Sequence, residues 1–236
     1  MDPDRREIKR TAALDEIRST AWKQIGEMGA AALSLRGIAR AMGITAPALY
    51  RYYKDRDTLV TALLMDAFTA FSTALEVARD TCAVDDHAGC FRAISRTYFE
   101  WAAQNPQRYA LLFSTPIPGY SFARELSPVA QRSFLILQGV LGEAHVAGKL
   151  TGQLTAVRFP ASLKSQYATL RKTGMPYSPL VTHLALSVWS MMHGITSLYL
   201  YNYLTGFLQE NVEVFVDFEI KKITDLLFGE SHESKK

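Results

Sequence analysis

The sequence predicts an all-α protein of two helical domains and about nine or ten helices. Apolar residues recur at spacings of three and four over most of the 236 residues, which is the period of a helix. Clusters of Gly and Pro separate these stretches, as at 115–119 and 174–179. The predicted domains are 1–58 and 59–228, and a disordered tail follows at 229–236.

The excess positive charge lies in the predicted N-terminal domain. Residues 1–59 hold eleven Lys and Arg and eight Asp and Glu, whereas the rest of the chain holds fifteen of each. The net charge of +3 therefore comes from the first 59 residues alone. A surface that binds nucleic-acid phosphates requires such an excess.

The first helix is predicted over 12–28, because five apolar residues share one face at helical spacing. These residues are Leu14, Ile17, Ala21, Ile25 and Met28. The polar stretch before them, 1–11, is either a frayed terminus or a basic arm that contacts phosphates or enters a minor groove. Acidic residues dilute its charge and favour the frayed terminus.

Residues 34–59 have the pattern of two short helices joined by a tight turn. Ser34 is the predicted N-cap of the first, which ends near Met42. Gly43 follows at the position where a helix end favours a positive φ. The pattern is that of a helix-turn-helix, although an ordinary corner between two helices has the same pattern.

The second short helix is predicted over 46–53. Thr45 is its expected cap, and Pro47 lies in its first turn, where a missing N–H is tolerated. Asp55 is the expected cap of the next helix, which begins at Arg56.

Basic residues and tyrosines are interleaved over this stretch, with five basic residues against two acidic ones. Arg and Lys neutralise phosphates, Tyr hydroxyls donate to phosphate oxygens, and helix N-termini attract anions. The residues expected to contact DNA are Ser34, Arg36, Thr45, Ala46, Pro47, Ala48, Tyr50, Arg51, Tyr52, Lys54 and Arg56.

The run from Leu35 to Leu59 closely resembles the DNA-binding domain of TetR/AcrR-family transcriptional regulators. The resemblance covers roughly Leu14 to Leu64 and includes an Ile-Ala pair, a Gly-Ile-Thr turn and a Leu-Tyr-X-Tyr-aromatic block. Tyr53 stands where the family usually has Phe, and Arg56 where it usually has Lys. The resemblance implies that the helix beginning at Arg56 links the DNA-binding domain to a ligand-binding domain.

Seven helices are predicted from residue 56 onwards. They cover 56–79, 91–104, 106–113, 128–147, 161–171, 180–204 and 210–228. The last is ambiguous, since Val212, Val214 and Val216 alternate as in a strand. We predict a helix because the apolar pattern continues too far for an average strand.

The C-terminal half resembles a subgroup of the same family that carries Trp-X-X-X-His-Gly on its penultimate helix. Here the motif is Trp189, His193 and Gly194, and 106–113 resembles a short helix of that subgroup. The resemblance implies an effector pocket, whose expected lining is Tyr98, Phe113, Phe134, Trp189, Met192 and His193. Each aromatic residue could equally belong to an ordinary core, and His193 could be a hydrogen-bonded core histidine.

Catalytic and metal-binding motifs are missing from the sequence. We find no Glu-X-X-His pair, nucleophile elbow or phosphate-binding Gly loop, so an enzyme is not expected and no cofactor is predicted. Cys82 and Cys90 have only His87 nearby and are interpreted as two small, half-buried thiols. The charged N-terminus and the lack of a long apolar run predict a cytoplasmic protein without a membrane partner.

The expected function is that of a DNA-binding transcriptional regulator, a repressor released from a palindromic operator by a small hydrophobic effector. A homodimer is expected because helix-turn-helix proteins read two half-sites, and 180–204 with 210–228 would form its interface. Ile220 and Ile223 are the expected interface residues. Two alternatives remain: a regulator of this fold that lacks ligand control or activates transcription, and an all-α binding module or enzyme.

Overall fold

The computed structural model describes residues 3–113, 117–172, 174 and 176–229. These residues form twelve α-helices and no β-strand, so the all-α prediction is confirmed. The helices are Pro3–Met28 (α1), Leu35–Ala41 (α2), Ala46–Tyr50 (α3), Arg56–Asp80 (α4), His87–Gln104 (α5), Pro106–Phe113 (α6), Ser127–Val146 (α7), Gly152–Thr155 (α8), Ala161–Lys172 (α9), Pro179–Leu200 (α10), Thr205–Leu208 (α11) and Val212–Phe228 (α12). The two helices beyond the predicted ten are the single turns α8 and α11.

The chain forms two compact units, and neither is continuous in sequence. Unit 1 comprises Met1–Thr69 and Asn105–Pro128, and unit 2 comprises Ala70–Gln104 and Val129–Lys236. The boundary between them falls within α4. The predicted functional boundary at residue 58 stays a prediction, and the predicted tail lies, apart from Gly229, outside the described residues.

The first helix begins at Pro3, nine residues before its predicted start. The expectation of a frayed terminus is therefore wrong for 3–11. Pro suits the first turn of a helix, and the Arg, Glu and Lys residues that follow are good helix formers. At the other end of α1, Met28 is 56% exposed and does not extend the buried stripe.

Unit 1 has its core where the apolar face of α1 meets α2 and α3. Ile17 and Ala21 of α1 are fully buried, as are Ile38 of α2 and Leu49 of α3. Complete burial of such side chains stabilises the fold by about 1.5–3 kcal/mol for each Ile or Leu. This core fixes the orientation of two helices that are too short to be stable alone.

Residues 105–113 and 117–128 also pack into unit 1. The rings of Phe113 and Phe122 both meet Phe68 of α4 edge to face, with centroids 6.2 and 6.4 Å apart. The hydroxyls of Thr61 and Tyr120 lie 2.9 Å apart. This segment therefore belongs with the helix-turn-helix, and its place in unit 1 was not predicted.

Unit 2 is built around α5, which packs against α10 and α12. Phe71 contacts Trp101 and Tyr98, with ring centroids 4.8 and 5.1 Å apart. Arg96 of α5 donates to Asp217 of α12 at 2.6 Å and to Glu213 at 3.4 Å. Apolar packing and this ion-pair network together hold α12 against α5.

The ambiguous segment 210–228 forms helix α12 from Val212 to Phe228, so the helical prediction is confirmed. The prediction that Ile220 and Ile223 are available to a second copy is wrong. Ile220 and Ile223 are buried within the chain itself, at 4% and 2% exposure. They cannot be the residues that a second copy would contact. Val214 and Phe218 lie on the opposite side and are 66% and 61% exposed.

Helix α10 ends at Leu200, four residues before its predicted end. Asn202 takes a positive φ of 60° in the turn that follows, which stops the helix. The following residues form the single-turn helix α11.

One described helix, Arg56–Asp80, is long and apolar enough to cross a membrane by length and composition alone. Half of its most apolar stretch is buried inside the structure, as in the core helix of a folded domain.

Candidate nucleic-acid interface and ligand cavity

The start of α2 is fixed by two side chains. Ser34 is the N-cap as predicted, and its hydroxyl accepts a hydrogen bond from the Gly37 amide at 3.4 Å. The Ser34 amide donates to Oε1 of Gln24 in α1 at 2.9 Å. A Cβ at position 37 would lie 2.5 Å from the Gln24 amide nitrogen, so a larger residue there would displace the end of the Gln24 side chain.

The turn between α2 and α3 is closed by a pair of backbone hydrogen bonds. Gly43 has a φ of +66°, as predicted, and its amide donates to the Arg40 carbonyl at 3.2 Å. The Ile44 amide donates to the Ala39 carbonyl at 3.0 Å. This is a Schellman motif, which satisfies the carbonyls at the end of α2 and sets the direction of the chain into α3.

The candidate recognition helix, α3, ends at Tyr50, three residues before its predicted end. Thr45 occupies the N-cap position, but its side chain makes no capping hydrogen bond. The hydroxyl is exposed at the helix start instead. Pro47 lies in the first turn as predicted, and Leu49 anchors the helix in the core.

Six predicted DNA contacts are exposed side chains on α2, α3 and the turn that follows. These are Arg36, Thr45, Pro47, Tyr50, Arg51 and Lys54. The others are half-buried: Ser34, Ala46, Ala48, Tyr52 and Arg56. Exposed side chains on α3 could contact base edges, and the exposed cations on either side of it could contact phosphates.

Arg56 differs from the other predicted phosphate contacts. Its Nη1 donates to the Pro118 carbonyl at 3.1 Å, and its Nη2 donates to the Ala30 and Ala31 carbonyls at 3.3 Å each. The guanidinium therefore joins two segments of unit 1. This geometry favours a structural role, and the predicted phosphate contact of Arg56 stays a prediction.

Tyr53 accounts for one departure from the resembled family. Its ring is 4% exposed, and its hydroxyl accepts a hydrogen bond from Arg18 Nε at 3.1 Å. The same nitrogen lies 3.3 Å from Asp66 of α4. Burial raises the pKa of Asp66, and the Arg18 charge opposes that rise. The tyrosine hydroxyl thus ties the segment between α3 and α4 to Arg18 of α1, a contact that phenylalanine would not make, and the Arg18–Asp66 pair joins α1 to α4.

Unit 2 contains a small aromatic cavity between α4, α5, α7 and α10. Water-sized molecules can occupy about 30 Å³ of it, room for only a few waters. The lining residues are Leu75, Ile94, Ser95, Tyr98, Ser133, Phe134, Leu137, Val188, Trp189 and Met192. No lining residue is charged, and the polar side-chain groups of the lining residues are the hydroxyls of Ser95, Tyr98 and Ser133 and the indole N–H of Trp189.

Four of the predicted ligand residues meet at this cavity, and two do not. Tyr98, Phe134, Trp189 and Met192 line it. Phe113 packs in unit 1, where its ring centroid lies 4.9 Å from that of Tyr109.

His193 stacks on Trp189, with ring centroids 5.9 Å apart, and its Nε2 lies 3.5 Å from the Ser197 hydroxyl. Burial lowers the pKa of His193, which keeps the imidazole neutral near pH 7. The ring therefore supports a cavity wall without lining the cavity. Sequence reasoning missed Ser95 and Ser133, because an isolated serine on a helix carries no signal of its own.

The two cysteines are half-buried or buried thiols, as interpreted from the sequence. Cys82 Sγ donates to the Ala78 carbonyl at 3.2 Å, and burial raises the pKa of Cys90 to about 12. Within the described part of the chain, no three His, Cys, Asp or Glu side chains are placed to hold a metal ion.

An exposed short helix, fixed after a Schellman turn and flanked by cations, defines a helix-turn-helix protein of the DNA-binding class. Two models of known protein families match the chain and support this conclusion. A family model described as "Bacterial regulatory proteins, tetR family" matches residues 17–63. A second, "Tetracyclin repressor-like, C-terminal domain", matches residues 91–223.

Individual relatives and solved structures match over most of the chain. The HTH-type transcriptional regulator Rv1816 of Mycobacterium tuberculosis is 36% identical over 180 residues, which are 75% of this chain and 75% of that protein. The regulatory protein SCO4313 is 33% identical, with a TM-score of 0.75 over 92% of this chain and 97% of its own. The chain belongs to the TetR family of bacterial transcriptional regulators, and its members are DNA-binding proteins rather than enzymes.

A more distant structure shares the fold alone. FadR of Bacillus subtilis, solved in complex with stearoyl-CoA, is 13% identical with a TM-score of 0.64, over 92% of this chain and 98% of its own.

Lys54 and Arg56 form a matched pair for a test of the interface. We expect Lys54→Ala to lower the slope of log K against log salt by about one unit, because one phosphate contact is lost. We expect Arg56→Ala to leave the slope unchanged and to destabilise the protein by roughly 1–3 kcal/mol, because three carbonyls lose their donor. Salt titrations on random duplex DNA and thermal melts measure both effects.

Lys164→Ala, which removes an exposed cation of α9, is the control and should change neither quantity. A loss of one slope unit in Arg56→Ala, with an unchanged melting temperature, would place Arg56 on a phosphate and contradict its structural role.

Proposed function

We propose that this regulator is a repressor, released from a palindromic operator when a small hydrophobic effector enters the cavity of unit 2. One observation carries the proposal: the helix-turn-helix lies in one compact unit, and the uncharged aromatic cavity lies in the other. An effector can control DNA binding allosterically only if it binds at a site distinct from the DNA-binding site. A cytoplasmic location follows from access to the chromosome.

The DNA-binding face in this proposal is made by α2, α3 and the turn after them. Thr45, Pro47 and Tyr50 approach base edges from α3, while Arg36 and Lys54 contact phosphates on either side. Their exposure supports this assignment. Ser34, Ala46, Ala48, Arg51 and Tyr52 complete the proposed contact surface.

The cavity lining favours a largely apolar effector. Its walls are aromatic and aliphatic, and they offer three hydroxyls and no charge. A site of this composition selects an apolar body with one or two polar atoms, and it disfavours a sugar phosphate. The fold relative FadR of Bacillus subtilis was solved with stearoyl-CoA, which makes acyl compounds reasonable members of a screen.

The volume of the cavity bears on the mechanism. A space of about 30 Å³ is too small for an effector of many atoms, so binding would have to open it. An effector that stabilises an open conformer shifts the population of the protein towards that conformer. The same small volume favours the alternative of a regulator without ligand control, and the screen below separates the two.

Two parts of the chain could transmit a change at the cavity to the DNA-binding unit, namely helix α4 and the segment 105–128. Helix α4 contributes Leu75 to the cavity and continues into unit 1, where Asp66 faces Arg18. In the sequence, the unit 1 segment 105–128 lies between α5 and most of α7, which both belong to unit 2. We propose that displacement of α4 and α5 by the effector changes the spacing of the two recognition helices in a dimer.

The Trp-X-X-X-His-Gly motif is consistent with membership of the proposed subgroup. Trp189 forms a cavity wall and His193 stacks on its ring, as the spacing of four residues on one helix allows. No other atom lies within 4 Å of a Cβ built on Gly194. The motif thus shapes one side of the proposed effector site.

A thermal-shift screen tests the effector proposal. Apolar compounds, including fatty acids and acyl thioesters, should raise the melting temperature and lower DNA affinity together, because both effects follow from preferential binding to one conformer. Ser133→Phe should abolish both effects by filling the cavity. Ser165→Phe on the exposed side of α9 is the matched control and should retain them.

Two results would contradict the proposal. Hits confined to phosphorylated sugars would be inconsistent with an apolar site. Compounds that stabilise the protein without releasing DNA would support a ligand site but not an inducer.

The homodimer proposal rests on the apolar surface left exposed along the last helices. Val214 and Phe218 of α12 and Leu198 of α10 are exposed on the described surface of unit 2. Stable dimer interfaces commonly bury on the order of 2,000 Å² and are apolar. We propose that α10 and α12 of two copies pair in a four-helix interface, with Val214 and Phe218 in place of Ile220 and Ile223.

Charge at the exposed face should separate the protomers without unfolding them. We expect the double variant Val214→Asp, Phe218→Asp to sediment as a monomer, to keep its helical circular dichroism and to lose operator affinity. Val146→Asp, at a position that is 89% exposed at the end of α7, is the control. A double variant that still sediments as a dimer would place the interface elsewhere.

A further inference from the structure

The first helix carries a row of cations outside the helix-turn-helix itself. Arg6, Lys9 and Arg10 lie on the part of α1 that was not predicted to be helical. Their spacing of three and four residues places them on one face of the helix. All three side chains are exposed.

This row faces the end of the recognition helix across a groove. Arg6, Lys9 and Arg10 form one side, and Arg51 and Tyr52, which directly follow α3, form the other. The groove encloses about 280 Å³. Its volume is therefore far larger than that of the cavity of unit 2.

The groove is a site of concentrated positive charge. Its lining holds four cationic side chains and one hydroxyl, and no carboxylate. Glu7 lies on the same helix but does not line it. Like charges held this close repel one another, so the arrangement is stabilised when an anion neutralises them.

We infer that this groove binds the phosphate backbone of DNA beside the bases read by α3, and that the N-terminal turns of α1 form one wall of that site. The inference rests on the DNA binding proposed above. Thr45 occupies the N-cap position of α3, and Pro47 and Tyr50 lie on it, whereas Arg51 and Tyr52 follow its last residue. A phosphate in the groove therefore lies beyond the base contacts, on the flank of the half-site. Because the groove is lined by four cationic side chains, it can contact more than one phosphate.

Phosphate contacts contribute affinity but no sequence information. Loss of the groove should therefore weaken binding to every DNA sequence alike. The triple variant Arg6→Gln, Lys9→Gln, Arg10→Gln removes the charges and keeps good helix-forming residues. We expect its salt slope to fall by about two to three units, and its affinity for random duplex DNA to fall roughly a hundredfold at physiological salt.

A charge-matched control removes three exposed cations from α9 in unit 2. The variant Lys164→Gln, Arg171→Gln, Lys172→Gln has the same net charge as the groove variant. It should keep the wild-type slope to within about half a unit. Circular dichroism and melting temperature establish that both variants are folded.

The outcomes distinguish the groove from DNA binding itself. A wild-type protein that does not bind duplex DNA at any salt concentration would overturn the proposed DNA binding, and the groove with it. A wild-type slope in the folded groove variant would overturn the groove alone, as would equal losses in the groove and control variants. A loss confined to one DNA sequence would assign these residues to base reading and would also overturn the inference.

Discussion

The DNA-binding surface depends on the packing of α1 against α2 and α3. The recognition helix has only five residues, and a helix of that length is unstable by itself in water. Leu49 anchors it, fully buried in the same core as Ile17 of α1. The Schellman turn at Gly43 then sets its direction. The positions of the exposed α3 residues are therefore fixed by the burial of Leu49 and by the turn at Gly43.

The candidate DNA-binding surface and the cavity lie in different compact units. Unit 1 carries the candidate recognition helix and the exposed cations around it, and unit 2 carries an uncharged cavity. Helix α4 runs through both units, and Arg56 at its start donates hydrogen bonds to the Ala30 and Pro118 carbonyls in two other segments of unit 1. These hydrogen bonds favour a structural role for Arg56 at the start of α4.

The sequence predicted the elements that local chemistry determines. Ser34, Gly43 and Pro47 each has one conformational role, and the structure confirms all three. Long-range packing was not predictable in the same way. Periodicity marks which face of α12 is apolar, but Ile220 and Phe218 are both apolar, and only the fold buries the first and exposes the second. Phe113 packs in unit 1 because 105–128 returns there, which no local pattern indicates.

Selection from a random duplex library tests the central claim most directly, namely that two copies of this helix-turn-helix read DNA through two-fold symmetry. The account predicts enrichment of inverted repeats whose half-site centres lie about 10 base pairs, or a multiple of that, apart. It also predicts that Tyr50→Phe or Thr45→Val changes the enriched bases within each half-site. Enrichment of a single asymmetric sequence, or none above the starting library, would contradict it.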